Sequence, residues 1–124
     1  MKQLVRAESV ALFFLGVAGL YYQPVHVNPW LWPLLILTPD LSMLGYLAGP
    51  RIGAICYNLA HHQGIAIATA AVGFYAHSPL TLLIGILLFT HSAMDRIFGY
   101  GLKYPDQFRH THLGWLPEGK GKRD

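Results

Sequence analysis

PLTLLIGILLFTHSAMDR, residues 79–96, is the stretch of sequence that decides the fold. Its Leu- and Ile-rich run is typical of lipid-facing material in a transmembrane helix, which needs about 20 apolar residues. Near the end of the run, His91 and Asp95 are four positions apart and therefore share one helix face. The stretch thus predicts a spanning helix that carries two ionisable side chains on one face.

Outward from this stretch, two long windows of the sequence contain no charge. No charged residue lies between Glu8 and Asp40, and none lies between Arg51 and Asp95. Each window is too long for one span and is broken by a segment that contains proline. The sequence therefore predicts four spanning helices, at residues 4–22, 30–48, 52–74 and 79–99.

The composition supports the same interpretation. Of the 124 residues, 53% are hydrophobic and only 12% are charged, whereas soluble domains carry about 25% charged residues. The length allows one domain. We therefore predict an all-α fold, a polytopic membrane four-helix bundle over residues 1–116 with a short cytoplasmic C-terminal tail. That tail, residues 117–124, is predicted to be flexible and basic.

The basic residues predict how the chain is oriented. They lie before the first span, in the turn after the second, and at or beyond the end of the fourth: Lys2, Arg6, Arg51, Arg96, Lys103, Arg109, Lys120, Lys122 and Arg123. The other two loops, at 23–29 and 75–79, contain no Lys or Arg. Because cytoplasmic loops carry the excess of Lys and Arg, both termini are predicted to be cytoplasmic.

Every predicted span carries an ionisable residue at a similar depth. They are Glu8 in the first span, Asp40 in the second, His61 in the third, and His91 with Asp95 in the fourth. An Asp near a span centre costs roughly 2.5–3.5 kcal/mol, so such residues are rare and usually functional. At a rise of ~1.5 Å per residue, His61 lies about 15 Å from Arg51 and His91 about 18 Å from Lys103. Groups at these depths can converge if each faces the bundle axis.

A metal site is the predicted purpose of this convergence, because helix bundles build such sites from inward carboxylates and histidines. Its predicted ligands are Asp40, His61, His91 and Asp95, with Glu8 as general base or further ligand. The mixed set suits zinc, manganese or iron. A haem held by His61 and His91 is the less favoured alternative. A purely structural alternative pairs the acids with nearby basic residues and hydrogen-bonds the histidines across helices.

The polar, glycine-rich segment after the fourth span, residues 99–114, is predicted to fold back over the cytoplasmic mouth of this site. Its candidate site residues, with one from the helix end, are Arg96, Tyr100 and Tyr104 for binding, and Lys103 and His112 for catalysis. Arginine and lysine can hold a phosphate, and histidine can transfer protons. An ordinary interfacial tail is the alternative.

Several motifs resemble those of a family of small bacterial membrane proteins of unknown function. They are Thr38-Pro-Asp-Leu-Ser-Met-Leu-Gly, Tyr57-Asn-Leu-Ala-His61, His91-Ser-Ala-Met-Asp95-Arg, Gly99-Tyr-Gly-Leu-Lys-Tyr-Pro and Thr111-His-Leu-Gly. The resemblance implies a bacterial inner (plasma) membrane location. The order Pro-Asp, His, His-x-x-x-Asp is also distantly similar to membrane-bound metal-dependent hydrolases. By that likeness Asp40, His61, His91 and Asp95 would be ligands, although Ser42 stands where those enzymes have a second Asp.

The sequence leaves three functions open. The first is metal-dependent hydrolysis of a lipid-like ester or phosphoester at the cytoplasmic leaflet. The second is a haem- or iron-binding redox protein, and the third is a non-enzymatic ion or proton path or an accessory membrane subunit. The expected partners are membrane lipids and a lipid-like substrate, a homo-oligomer is left open, and no nucleic acid is expected.

Overall fold

The computed structural model describes residues 1–106 and 109–116 and is mostly helical, which confirms the all-α prediction. The helices are α1 (Lys2–Tyr22), α2 (Trp32–Leu37), α3 (Pro50–His61), α4 (Gln63–Tyr75) and α5 (Pro79–Ile97), with 3₁₀ helices at Pro29–Leu31 and Thr38–Ala48. Two short antiparallel strands follow, β1 (His110–Thr111) and β2 (Gly114–Trp115). The predicted basic tail, residues 117–124, lies outside the described residues.

Three helical segments are long and apolar enough to cross a membrane: Lys2–Tyr22, Pro29–Ala48 and Pro79–Ile97. These segments correspond to the first, second and fourth predicted spans, and they are compatible with a membrane protein. The third predicted span, residues 52–74, differs from the prediction because it is divided into α3 and α4. Neither half alone reaches the length that a span requires.

The division falls at His62, whose backbone is extended with φ −81° and ψ 117°. Side chains replace the helical hydrogen bonds that the break removes. The His62 ring accepts a hydrogen bond from the Ile65 N–H at 3.3 Å, and the Ser92 hydroxyl donates to the His61 carbonyl at 2.6 Å. A helix can be broken within a bundle only where its freed backbone groups find such partners. The break therefore depends on residues on both sides of it and on α5.

Helix α5 is the centre of the structure because α1 and α4 both pack along it. Glycines permit this close approach. A Cβ added at Gly85 would lie 2.3 Å from the backbone nitrogen of Ala70 on α4, and one added at Gly16 of α1 would lie 2.3 Å from the Thr90 hydroxyl. Small residues are what allow helix backbones to come so near.

The second predicted span has an unusual end. Residues Thr38–Ala48 form an 11-residue 3₁₀ helix, here called the 3₁₀ segment, which packs against α3. Such helices rarely exceed 3–4 residues. Pro39 near the start of the segment has no N–H to donate to an α-helical carbonyl. At the α3 interface the Tyr46 ring lies directly on Gly53 and Cys56 lies on Gly45. The segment places Asp40 beside the C-terminal end of α3.

After α5 the chain turns back over α3. Gly99, with φ +87°, takes a left-handed conformation at this turn. The Asn58 side chain of α3 then holds Lys103 by two hydrogen bonds, accepting from its N–H at 2.6 Å and donating to its carbonyl at 2.7 Å. Lys103 also pairs with Thr111 in an antiparallel bridge. Lys103 and Thr111 are thereby anchored next to the C-terminal end of α3.

Candidate metal centre

Four ionisable side chains meet at one point of the structure: Asp40, His61, His91 and Asp95. The His61 and His91 Nε2 atoms are 3.0 Å apart. Asp40 Oδ1 lies 3.0 Å from His91 Nε2 and 3.4 Å from His61 Nε2, and Asp95 Oδ2 lies 3.4 Å and 3.2 Å from the same two atoms. All four ligand atoms lie within 4.8 Å of one another. The structure thus brings together the four residues that the sequence predicted as metal ligands.

Backbone carbonyls fix the orientation of both imidazoles. His61 Nδ1 donates to the Tyr57 carbonyl at 2.8 Å, and His91 Nδ1 donates to the Ile36 carbonyl at 2.6 Å. In a neutral imidazole one nitrogen carries the proton and the other carries a lone pair. Both Nε2 lone pairs therefore face each other and the two carboxylates. This is the arrangement seen around metals, whose histidine ligands donate their other N–H to a carbonyl or carboxylate.

Three of the four side chains in the cluster are largely buried. The side chains of His61, His91 and Asp95 are 3%, 0% and 13% exposed, whereas that of Asp40 is 43% exposed. Two carboxylates and two neutral histidines carry a net charge of −2. Burying such charge without a counter-charge is costly. Lys103 and Arg96 lie close enough for their positive charges to act on Asp95, and a cation or added protons at the cluster itself would neutralise the charge directly.

Five of the six ligand separations fit a single ion. Two atoms bonded to a tetrahedral zinc at about 2.0–2.1 Å lie roughly 3.3 Å apart, and the five His–His and His–Asp separations span 3.0–3.4 Å. The two carboxylates are farther apart, with ligand atoms within 4.8 Å of each other, and would move closer around an ion. Axial histidines of a haem, in contrast, bind iron from opposite sides, so their nitrogens lie about 4 Å apart with the porphyrin between them. The short contact between His61 and His91 argues against the haem alternative.

Tyr57 supports two members of the cluster at once. Its hydroxyl donates to Asp95 Oδ2 at 3.2 Å, and its ring stacks on His61 with centroids 3.8 Å apart and planes 7° apart. The Lys103 ammonium lies 4.9 Å from the centre of the same ring, a distance at which cation–π attraction acts. The segment after α5 thus reaches the cluster through Tyr57.

Lys103 is nearly inaccessible, with only 4% of its surface exposed. Burial lowers the pKa of Lys103 to about 8, although the nearby negative charge of Asp95 opposes the shift. Burial also lowers the pKa of His112, and the positive charge of Arg96 adds to that effect while a hydrogen bond to the Leu102 backbone opposes it. The environment of both groups therefore disfavours their charged forms.

The remaining predicted site residues are not among the four. Glu8 lies exposed on α1, outside the cluster. Tyr104 stacks on His110, 4.2 Å away, and His112 Nδ1 accepts a hydrogen bond from the Leu102 N–H. Two other predicted residues, Arg96 and Tyr100, line a narrow crevice that ends at His61 and Asp95. The sequence analysis did not predict a role for Ser92, which binds the His61 carbonyl. Its position directly after His91 was the one feature of the sequence that could have indicated such a role.

Fold and site together define the class: a helical chain with three helices long and apolar enough to cross a membrane, and a buried His/Asp cluster suited to a metal ion. The chain belongs to the family described as "Domain of unknown function (DUF4260)", whose profile matches residues 2–116. This confirms the resemblance to a family of unknown function, while the likeness to metal-dependent hydrolases stays a prediction. No curated protein and no solved structure matches the chain.

Proposed function

We propose that this protein is a membrane-embedded metalloprotein in which Asp40, His61, His91 and Asp95 hold one divalent cation, of the zinc, manganese or iron type. One observation carries the proposal: two Nε2 atoms, each set as an acceptor by its own Nδ1–H bond to a carbonyl, lie 3.0 Å apart and face two carboxylates. Lone pairs at that distance repel unless a positive charge lies among them.

For the activity we propose hydrolysis of a lipid-like ester or phosphoester. Asp40 is the cluster member with the largest exposed fraction, and its neighbours Leu37 and Leu41 are exposed apolar side chains. A substrate that approaches from this side would cross an apolar surface, which favours a molecule dissolved in the bilayer. A divalent cation that accepts a water molecule beside these four ligands would supply Lewis acidity and lower the pKa of that water. Tyr57 holds the Asp95 carboxylate, and the Ile36 carbonyl holds the His91 ring.

A second candidate function follows from the same geometry. Two added protons would convert the histidines to imidazolium ions, and each could then donate to Asp40 or Asp95. The four groups would form a neutral ion-pair network without a metal, as in a proton path or an accessory subunit.

Metal content separates the two candidates. We expect the detergent-purified protein to contain about one divalent metal ion per chain by elemental analysis. His91→Ala and Asp95→Asn should each lower the metal content, because each removes one of the four ligand atoms. His26→Ala, a histidine in an exposed loop, is the matched control and should retain it. Full metal content in both cluster variants, or none in the unaltered protein reconstituted with zinc, manganese or iron, would contradict the proposal.

The hydrolase activity needs its own test. The metal-loaded protein should cleave a long-chain ester or phosphoester presented in mixed micelles, and the loss of activity on chelation should be reversed by restoring the metal. If metal binds at one per chain but no such substrate is cleaved, the metal centre stands and the hydrolase proposal fails.

A further inference from the structure

A second group of polar atoms lies next to the cluster, in the crevice between the end of α5 and residues 100–102. Arg96, Tyr100 and Gly101 line it together with the cluster residues His61 and Asp95. Arg96 is half-buried. Its guanidinium makes no hydrogen bond or ion pair with any part of the chain that the structure describes. Asp95 and Glu8 are the acids whose charge reaches Arg96, and neither approaches it to ion-pair distance.

Two more donors in this crevice are without an acceptor. Among residues 1–106 and 109–116, nothing accepts from the N–H of buried Gly101 or from the hydroxyl of Tyr100. The amides on either side do have partners: the Tyr100 N–H donates to the Asp95 carbonyl and the Leu102 N–H to His112. A buried backbone N–H without a partner is rare in native structures. The crevice thus offers donors of three kinds, of which the Gly101 N–H is the buried one, while Tyr100 is an exposed residue whose hydroxyl is available to a ligand.

We infer that this crevice is a phosphate-binding subsite whose donors are the Arg96 guanidinium, the Gly101 N–H and the Tyr100 hydroxyl. A guanidinium can bind two phosphate oxygens at once, and a backbone N–H can bind a third. The inference rests on the proposed function and narrows its substrate class, because a phosphate held here lies beside Asp95 and His61. The substrate would then be a phosphoester, with its phosphate recognised by Arg96.

The crevice must open to admit this ligand, since at present it has no room for a water molecule between its walls. Gly99, at the turn before Tyr100, is a suitable hinge. Its φ of +87° needs no side chain, and a Cβ at this position would meet only an Arg6 nitrogen at 3.9 Å. Gly101 in contrast is tightly held, because a Cβ there would lie 2.6 Å from the His112 ring. Movement at Gly99 would therefore carry the Gly101–His112 contact as a unit, and it would release the hydrogen bond from Tyr100 to Asp95 and those that hold Lys103 to Asn58.

Phosphate binding can be measured directly, by calorimetry, on the metal-loaded protein in detergent with inorganic phosphate as the probe. We expect Arg96→Gln to weaken binding at least tenfold and Tyr100→Phe about threefold. Arg51→Gln is the matched control, because Arg51 is an exposed arginine at the start of α3 and its loss changes the net charge equally. Unchanged affinity in Arg96→Gln, or equal weakening in Arg96→Gln and Arg51→Gln, would overturn the inference.

A second arm identifies the source of the phosphate. The protein in nanodiscs of phosphatidylcholine, with or without phosphatidic acid, reports lipid headgroup binding through quenching of its tryptophan fluorescence by a labelled phosphatidic acid. If the protein binds phosphatidic acid but not inorganic phosphate, the ligand is a lipid headgroup. If it binds inorganic phosphate but not phosphatidic acid, the ligand is free phosphate. In either case Arg96→Gln must abolish the binding. Binding in neither arm overturns the inference.

Metal analysis of the same samples distinguishes this inference from the proposed function. Arg96→Gln should keep its metal, since it removes no ligand. Phosphate binding that depends on Arg96 in a protein without metal would support the subsite and contradict the metal centre. Metal binding without phosphate binding would support the metal centre and contradict the phosphate subsite.

Discussion

The two halves of α5 are buried in opposite ways. In the first half, residues 79–88, Leu83 and Leu87 pack in an apolar core and Gly85 lets the backbone of α4 approach. In the second half, residues 89–97, the largest fully buried side chains are polar: Thr90, His91 and Ser92, all 1% exposed or less. One half is held by close packing and the other by hydrogen bonds. We therefore expect stability and metal binding to respond to different substitutions along one helix.

The largest effect should come from Gly85→Ala in the apolar half. The added methyl would overlap the Ala70 backbone, and overpacking of this kind costs up to about 3 kcal/mol of unfolding free energy. The change should appear as a lower midpoint of thermal unfolding in detergent, with metal content per folded chain unchanged. Ala71→Leu, on the exposed side of α4, is the control. If metal were lost together with stability, the two halves would not be separable.

Tyr57→Phe should have the next largest effect and should act on the polar half alone. It removes the hydrogen bond to Asp95 but keeps the ring that stacks on His61. Loss of a partner that orients a ligand weakens metal binding about tenfold. Competition with a metal-sensitive dye measures the affinity, and Tyr75→Phe at an exposed site is the control. Equal affinity in both variants would show that Asp95 needs no such support.

Ser92→Ala tests the helix break and should cost about 1 kcal/mol of unfolding free energy. The substitution leaves the His61 carbonyl without its donor. Ser42→Ala is a matched control, because the buried Ser42 hydroxyl has no partner among the described residues and its removal should cost nothing. Denaturant titration of both variants gives the difference. A larger loss in Ser42→Ala than in Ser92→Ala would contradict the role given to Ser92.

The smallest effect concerns pH and Lys103. Burial lowers the pKa of Lys103 from 10.5 to about 8 in the folded chain, so between these values the unfolded chain binds more protons. The unfolding free energy must then rise with pH, by about 0.8 kcal/mol between roughly pH 7 and 8.5. Lys103→Met should lack this rise, whereas Lys2→Met, at an exposed site, should keep it. A parallel pH dependence in Lys103→Met and the unaltered protein would contradict the assignment.

The sequence predicted the cluster because its physical signal is local. The depth of Asp40, His61, His91 and Asp95 follows from counting residues along apolar spans, and their polarity in such spans needs an explanation. Glu8 was included by the same counting. The packing of α1 on α5 excludes Glu8 from the cluster, because Gly16 of α1 lies against Thr90 of α5. Antiparallel pairing from that contact carries Glu8 past the end of α5, so its side chain does not reach the cluster.

The helix break and the 3₁₀ segment could not be predicted, because their causes are not local. No proline lies between Pro50 and Pro79, the stretch that contains the break at His62, and Gly64 alone does not end a helix. The break is stabilised by Ser92, 31 positions from the carbonyl that it binds. The 3₁₀ segment has the same apolar composition as an α-helix, so hydropathy cannot distinguish the two. Its contacts with Gly53 of α3 appear only once the chain is folded.

The winding of the 3₁₀ segment has a consequence for the whole centre. With 3.0 residues per turn, Asp40 and Tyr46 are six residues and therefore two full turns apart, on one line along the segment. An α-helical winding of 3.6 residues per turn would rotate one relative to the other by about 120°. With the Tyr46 ring seated on Gly53, that rotation would turn the Asp40 carboxylate away from His61 and His91. A cation held by Asp40 would therefore stabilise the 3₁₀ winding of the whole segment, from Thr38 to Ala48, against conversion to an α-helix.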